Sequence, residues 1–445
     1  MKLAKALSVS DGETIAFVGA GGKTSAMFAL AREMGKTVVL TTTTHLGGWQ
    51  AALADEHIVV NKVEDLHSLS FFENKIVLVT GPCDVDGRLG GLDALSLESL
   101  KDRCENERVL MLIEADGAKL RHLKAPAEYE PSVPVWVDKV VVMAGLGGLG
   151  KPLDSETVHR PEIFSNISKR PLGSRIVVGD LVAVLRFEKG GLQGIPEKAQ
   201  RILFLNQAEG PALQAKGARA ARPLVEVYDA VLIGSLHQPE QTGPIFSVQT
   251  QTAGVILAAG GSSRLGRPKQ MLAWEAKPFI VQVVQNALAA GLSPLIVITG
   301  ADHEQIESVL EGFPVTVIHN ENWQKGQSNS MRMGLGVLPE GIGSVIFLLS
   351  DQPQIPPTLI RQLIEAYSEN RKPITAPMAG GQRGNPVLFA RETFTAMGTV
   401  RGDKGGRAVF NRFEVHWLPW VDDRILMDVD TEEDLRRLKE TYFPE

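Results

Sequence analysis

With 445 residues, 44% hydrophobic and 22% charged, the chain exceeds one ordinary domain of roughly 150 residues and carries ample apolar material for buried cores, which excludes the disordered and fibrous classes. A formal net charge of −6, from 46 basic and 52 acidic residues, with neither half strongly basic, excludes a nucleic-acid-binding arm. Two cysteines, Cys83 and Cys104, stand in no CxxC or Cys/His grouping; they exclude a disulfide scaffold and read as reduced thiols.

Up to residue 236, continuous β-branched runs recur: TIAFVGAG, TVVLTTTT, KIVLVTG, VLMLIEADG, KVVVMAG, RILFLNQ and DAVLIGS. Runs that are apolar throughout, several of them separated by helix-like stretches, predict a parallel sheet covered on both faces. The first run feeds a Gly-rich turn and then a helix, with Lys23 and Thr24 placed as in a P-loop. In such a loop the backbone at Gly21 and Gly22 and the Lys23 ammonium hold phosphates, while the Thr24 hydroxyl holds Mg²⁺. The full GxxxxGK[ST] pattern wants a Gly where Phe17 stands, so the loop is a shortened or shifted variant, and a tight βα turn is the plainer reading. ATP or GTP is the expected ligand. Asp116, closing VLMLIEADG, is placed like the carboxylate that completes such a metal site, with Glu114 as the alternative. Asn206 in RILFLNQAE is placed like a base-reading Asn of GTPases, although Gln207 and Glu209 depart from that loop.

Residues 237–252, HQPEQTGPIFSVQTQT, are rich in Gln, Thr and Pro and read as a linker between domains at 1–236 and 253–445. Downstream, AGVILAAG, PLIVITG, PVTVIHN, SVIFLLSD and PITAPM repeat the rhythm, so the fold class is α/β with two domains in series. The strand AGVILAA enters GGSSRLGRPKQ, a Gly-rich turn at the carboxyl end of a strand, where α/β sheets bind ligands. Gly260 and Gly261 let the backbone approach a polyphosphate, and Arg264 and Lys269 supply positive charge for the triphosphate and the leaving pyrophosphate.

Asp351 ends SVIFLLSD in a loop stiffened by Pro353 and Pro356, and Asp430 precedes the helical stretch EEDLRRLKE. Two carboxylates from distant loops can meet at one Mg²⁺, with Asp428 a second candidate beside Asp430. The plainer reading of Asp430 with Thr431 is a helix cap. GQSNSMRMG offers either base and ribose contacts or a helix start capped by Ser328 or Asn329. His45 and His159 could be ligands or acid/base groups, with structural roles the plainer reading for want of partner spacing, and lone His303 and His319 read as structural.

The segment LAAGGSSRLGRPK at 257–269 resembles the LAAGxSxRxGxxK signature of the MobA-related nucleotidylyltransferases, and the stretch from about 253 to 445 is similar to molybdenum cofactor cytidylyltransferases of the MocA type. NENWQKGQSNSMRMGL, LLSDQPQIP, GNPVLF, RGDKGGRAV and MDVDTEEDL follow in order. The resemblance implies a Rossmann-type fold and a CTP loop made of Leu257, Ala258, Ala259, Gly260, Gly261, Ser262, Arg264 and Lys269. It also implies catalysis by Arg264, Lys269 and Asp351, Mg²⁺ on Asp351 and Asp430, and a molybdopterin-type substrate against Asn385 and Pro386. LAAG in place of LAGG favours CTP over GTP.

From about residue 10 to 235 the chain resembles the YqeC family, accessory proteins of selenium-dependent molybdenum hydroxylases. The matching segments are VGAGGKT, TTTTHL at 41–46, IEADGAKLRHLKAP at 113–126, Glu130-Pro131 and HRPE at 159–162. This first domain is the P-loop-like one, with Thr24 and Asp116 as its metal ligands.

The N-terminal MKLAKALSVSDGET lacks the apolar core of a secretion signal, and no run of about 18 uncharged apolar residues occurs. The expectation is a cytoplasmic, Mg²⁺-dependent CTP:molybdopterin cytidylyltransferase fused to an accessory nucleotide-binding module. It would serve an apo-molybdenum hydroxylase and bind neither nucleic acid nor membrane. Two other readings stay open: a cofactor chaperone without turnover, and cytidylyl transfer to a sugar or polyol phosphate.

Overall fold

The computed structural model describes residues 1–69, 71, 74–237, 243–261 and 266–443, less the side chain of Ser68. Ser262 and Arg264 of the expected nucleotide loop, and residues 238–242 of the expected linker, lie outside the described residues. The chain divides into two compact units, Met1–Gln249 and Thr250–Glu445.

Nine strands of the first unit form one sheet: β1 (Thr14–Gly19), β2 (Val38–Thr42), β3 (Glu56–Val59), β4 (Ile76–Thr80), β5 (Leu110–Glu114), β6 (Lys139–Gly145), β7 (Gln200–Asn206), β8 (Ala230–Gly234) and β9 (Ile245–Gln249). Their spatial order is β9-β8-β7-β6-β1-β5-β2-β4-β3. All pairings are parallel except that of β8 with β9. On β1, Ala16 and Val18 enter one core while Ile15 and Phe17 enter the other. A strand with side chains alternating between two apolar layers has no solvent face, which is why these runs carry no polar alternation. From β1 the chain first builds toward β3, returns through β5 and then builds β6 to β9 on the other side. The carboxyl ends of β1, β5 and β6 therefore flank the point where the winding reverses, which is where such sheets open a crevice.

The stretch expected as a linker is partly sheet. Ile245–Gln249 pairs antiparallel with β8, and Ile245 and Val248 are fully buried. Its Gln- and Thr-rich text hides two inward apolar residues, which is all that an edge strand requires. The seam falls after Gln249.

The second unit holds β10 (Thr252–Ala258), β11 (Leu295–Thr299), β12 (Thr316–His319), β13 (Ser344–Leu349), β14 (Ile374–Ala379), β15 (Gln382–Arg383), β16 (Val387–Ala390) and β17 (Val415–Pro419). The order is β12-β11-β10-β13-β16-β14-β15, with β17 beside β14. The first four strands run parallel, and β16 is antiparallel to both β13 and β14. Ile256 and Ala258 of β10 face one core, Ala253 and Val255 the other.

No helix among the described residues is long and apolar enough to cross a membrane. Both cysteines are free, and burial pushes the Cys104 thiol up to about 12.

Candidate active site

In the second unit, β10 and β13 are parallel neighbours in register Leu257↔Leu349. Their carboxyl ends therefore deliver the Ala259-Gly260-Gly261 turn and the Ser350-Asp351 turn to one edge of the sheet. Between them opens a cavity of about 410 Å³ lined by Gly260, Gly261, Lys269, Trp323, Gln327 and Asp351, among others. The buried Gln270 pins the Gly-rich turn, its Nε2 donating to Ala258 O at 3.1 Å and to Gly260 O at 3.0 Å. A Cβ on Gly261 would lie 2.9 Å from the Trp323 ring, so only glycine lets the turn pass so near the indole. Ala258 is buried in the apolar core beneath the turn.

Lys269 crosses the cleft. Its Nζ lies 3.8 Å from Asp351 Oδ2 and donates to Asp430 Oδ1. Asp351 keeps about 26% of its side-chain surface, yet dense surroundings push its carboxyl up to about 6, with Lys269 pulling the other way and Asp428 and Asp430 adding to the rise. Asp430 does not cap the last helix. Thr431 does, accepting from Asp434 N at 3.2 Å, and Asp434 Oδ2 accepts in return from Thr431 N at 2.9 Å. Asp428 accepts from Gln352 Nε2 at 2.7 Å. The helix Gln327–Gly336 starts from Gly326 at φ 95°, with no side-chain cap from Ser328 or Asn329. Instead Ser328 is buried, and Gln327 and Ser330 face the cleft.

Asn385 lines a separate, adjoining cavity of about 230 Å³, and its neighbour Pro386 is buried. Among the described residues no group of three or more His, Cys, Asp and Glu side chains forms a metal cluster. The donor set at Lys269 is a pair of carboxylates, hard oxygen ligands of the kind that divalent Mg²⁺ takes alongside substrate phosphates.

In the first unit, β1 and β5 are paired in register Phe17↔Glu114, which sets the Gly19–Thr24 loop beside the Glu114-Ala115-Asp116 segment. Lys23 is buried. Its ammonium donates to Gly19 O at 2.7 Å and lies 3.1 Å from Asp116 Oδ1 and 3.8 Å from Glu114 Oε1. Burial alone would lower its pKa, but Asp116 and Glu114 outweigh that and raise it. The Thr24 hydroxyl donates to Glu114 Oε2 at 2.7 Å, so the acidic partner of Thr24 is Glu114, the alternative, rather than Asp116. The other Asp116 oxygen accepts from Gly19 N at 2.9 Å and Lys124 Nζ at 2.7 Å. In this arrangement Asp116 is the centre of an ion-pair network.

That network joins the segments singled out in the sequence. Lys124 also pairs with Glu130 at 2.7 Å, and Arg160 grips Glu130 through both guanidinium nitrogens at 2.7 and 2.9 Å. Burial works against the Glu130 charge, but hydrogen bonds from Arg160 and Lys124 hold its carboxyl at about 2. His159 lies beside Lys124 in a two-strand ladder, where burial, then Arg160 and Lys124, lower it to about 4. Gly21 and Gly22 have φ of 88° and 118°, and a Cβ on Gly21 would collide with the Gly145 backbone. Buried Asn206 is consumed structurally, donating to Gly21 O at 2.7 Å and accepting from Leu236 N at 3.1 Å; it is not presented to a base.

Lys124, Arg160 and Gln270 are not singled out by the sequence as site residues, whereas Gln327 lies in the GQSNSMRMG stretch read for base and ribose contacts. Lys124 and Gln270 act through partners within a dozen residues and Arg160 through Glu130, 30 residues away, and only the RHLKAP, HRPE and GRPKQ contexts marked their neighbourhoods.

The two units define an α/β protein with a nucleotide-type cleft at the carboxyl edge of its second sheet. Residues 15–162 match the family described as YqeC protein, and residues 254–417 match the MobA-like NTP transferase domain. The uncharacterized protein YqeC of Escherichia coli (strain K12) is 30% identical over 200 residues, covering 43% of this chain and 75% of that protein. Nicotine blue oxidoreductase of Paenarthrobacter nicotinovorans is 27% identical, covering 42% and 94%. The molybdenum cofactor cytidylyltransferase of Escherichia coli (strain K12) is 26% identical, covering 42% and 95%. The chain belongs to the YqeC family and carries, after its YqeC segment, a MobA-like nucleotidyltransferase domain.

Proposed function

We propose that the second unit transfers CMP from CTP to molybdopterin, and that the first is an accessory nucleotide-binding module for maturation of a cytoplasmic molybdenum hydroxylase. The observation that carries the transfer reading is the meeting of Lys269, Asp351 and Asp430 in a cleft floored by Gly260 and Gly261. The similarity to a molybdenum cofactor cytidylyltransferase supports this choice of substrates.

The turn at Gly260 and Gly261 brings its backbone against the triphosphate, and Lys269 neutralises charge that builds on the departing pyrophosphate. Asp351 and Asp430 would hold Mg²⁺, whose charge supports the triphosphate. No side-chain nucleophile is needed. An oxygen of the acceptor phosphate bonds to the α-phosphorus while the bond from that phosphorus to the bridging oxygen breaks, and its electron pair leaves with pyrophosphate. The protein's part is to align the two substrates and keep their charges apart. In the first unit, Lys23 and the amino end of the 12-residue helix Lys23–Met34 supply positive potential for an ATP or GTP phosphate.

Pyrophosphate release from CTP, GTP and ATP, each with and without molybdopterin, tests the reading. Release from CTP that depends on molybdopterin supports it; release from GTP alone, or none, overturns it.

A further inference from the structure

A phosphate held by a Gly-rich turn ahead of a helix takes backbone N–H groups and the lysine ammonium. In the first unit both are already engaged. Gly19 N donates to Asp116 Oδ2 at 2.9 Å, Ala20 N to Met143 O at 2.9 Å and Gly21 N to Arg121 O at 3.0 Å. The Lys23 ammonium is drawn back onto Gly19 O, Asp116 and Glu114, so these donors are turned onto the protein itself. Met143 lies in β6 and Glu114 in β5, but Arg121 belongs to the connection that leaves β5.

That connection, residues 117–124, lies against the turn and is fastened on both sides of it. Lys124 Nζ donates to Asp116 Oδ2 and to Gly117 O, each at 2.7 Å, and His122 O accepts from Gly145 N at 2.8 Å at the end of β6. The His122 ring is fastened as well. Lys151 Nζ lies 2.7 Å from His122 Nε2; an ammonium has only donors, so Nε2 accepts and the ring proton sits on Nδ1, which donates at 2.7 Å to Oε1 of Gln207 just beyond β7. Room for that contact is built in: a Cβ on Gly145 would collide with Gln207 Oε1, and one on Gly147 would lie 2.8 Å from it. Gln207 itself is held at φ 61°.

The tip of the connection is held rather than relaxed. Lys119 and Leu120 sit consecutively at φ 47° and 60°, a left-handed pair that costs free energy in residues other than glycine and persists only where the surroundings over-determine it. Leu120 is 92% exposed, so its own packing does not hold it there; the fastening at His122 and Lys124 does. A strained segment that occupies a ligand-binding N–H yields when a ligand binds the open form better than the closed one. We propose that residues 117–124 are a strap that closes the Gly19–Thr24 turn in the resting first unit, and that a nucleotide phosphate opens it by taking the Gly21 amide from Arg121 O and the Lys23 ammonium from its carboxylates. The proposal concerns regulation of this site and rests on the reading that the turn takes a nucleotide phosphate.

In a protein that must open before it binds, apparent affinity is reduced by the fraction open, so loosening the strap strengthens binding where loss of a binding residue weakens it. ATP and GTP, each with Mg²⁺, are titrated calorimetrically into the full chain, counting only the heat that Lys23→Ala abolishes. His122→Ala removes both side-chain anchors, and Gln207→Gly removes one while suiting the left-handed backbone. Each should bind the preferred nucleotide at least fivefold more tightly than wild type, and Gln207→Gly carries the test if His122→Ala does not fold. Hydrogen exchange read by mass spectrometry should be faster over residues 117–124 of wild type with saturating nucleotide than without it. A merely structural role for His122 would lower the melting temperature with no gain in affinity. Wild-type binding that neither variant strengthens, or exchange over 117–124 that nucleotide slows or leaves unchanged, overturns the strap and leaves the nucleotide reading standing. No binding by wild type or by either variant overturns both.

Discussion

The Nζ of Lys269 and the Oδ2 of Asp351 lie 3.8 Å apart across the cleft of the second unit, one following a Gly-rich turn and the other ending the neighbouring strand. A cation and a carboxylate so close can hold each other in the resting protein and separate onto opposite charges when triphosphate and a divalent ion arrive.

Asp351→Asn keeps the shape of the side chain and removes its charge. Metal-dependent pyrophosphate release from CTP should drop well over tenfold, more than about 1.4 kcal/mol of barrier, with circular dichroism unchanged. A variant within tenfold of wild type would mean that Asp351 is not the principal metal ligand. Lys269→Ala should act mainly by raising the KM for CTP.

The two compact units meet in sequence at Gln249/Thr250, and each is long enough to build its own core. A fragment of residues 250–445 should be soluble and use CTP. For the first unit the end point decides the outcome: residues 1–249 should fold, whereas stopping at 236 removes the edge strand that buries Ile245 and Val248 and bares β8 to aggregation. Equal solubility and melting temperature for the two first-unit fragments would show that strand to be dispensable.

The Gly19–Thr24 loop should bind ATP or GTP with Mg²⁺, at the expense of the Lys23 ion pairs to Asp116 and Glu114. Calorimetric titration of the full chain with each nucleotide, repeated on Lys23→Ala, measures this against the CTP site as internal reference. Purine nucleotide heats that are absent, or identical in the variant, would leave the loop a tight βα turn. Because Glu114 holds the Thr24 hydroxyl, Glu114→Gln should impair metal-dependent binding more than Asp116→Asn, provided both variants fold.

Acid should weaken the first unit in two stages. His159 is lowered from 6.5 to about 4, so between those values the unfolded chain binds a proton that the folded one refuses; its contribution is complete above about 6.5 and lost as pH falls toward 4. Glu130, lowered from 4.5 to about 2, contributes in the same direction from 4.5 downward. The melting temperature of residues 1–249 should fall steadily from pH 6.5 to 4, and His159→Gln should flatten that slope. The same slope in the variant would assign the effect to other groups.

The strands, the two Gly-rich turns and the carboxylates at strand ends were legible in the sequence because each is a local property. A two-sided buried strand is continuous and apolar wherever its partners lie, and a chain that must turn sharply against a close neighbour uses glycine, as at Gly21 against the Gly145 backbone and Gly261 against the Trp323 ring. Pairings were not legible. The sequence pointed to Asp116 beside Thr24, with Glu114 as the alternative, and the register of β1 against β5 gave the hydroxyl to Glu114. It left Asp430 as cap or ligand; the capping box of Thr431 with Asp434 freed its carboxylate for Lys269. Two apolar residues in a Gln- and Thr-rich seam became an edge strand only because β8 offered them an open ladder. Local sequence decides which backbone shapes are low in free energy, but which charges face each other depends on strand order and side-chain direction, and those are set by the packing of distant segments.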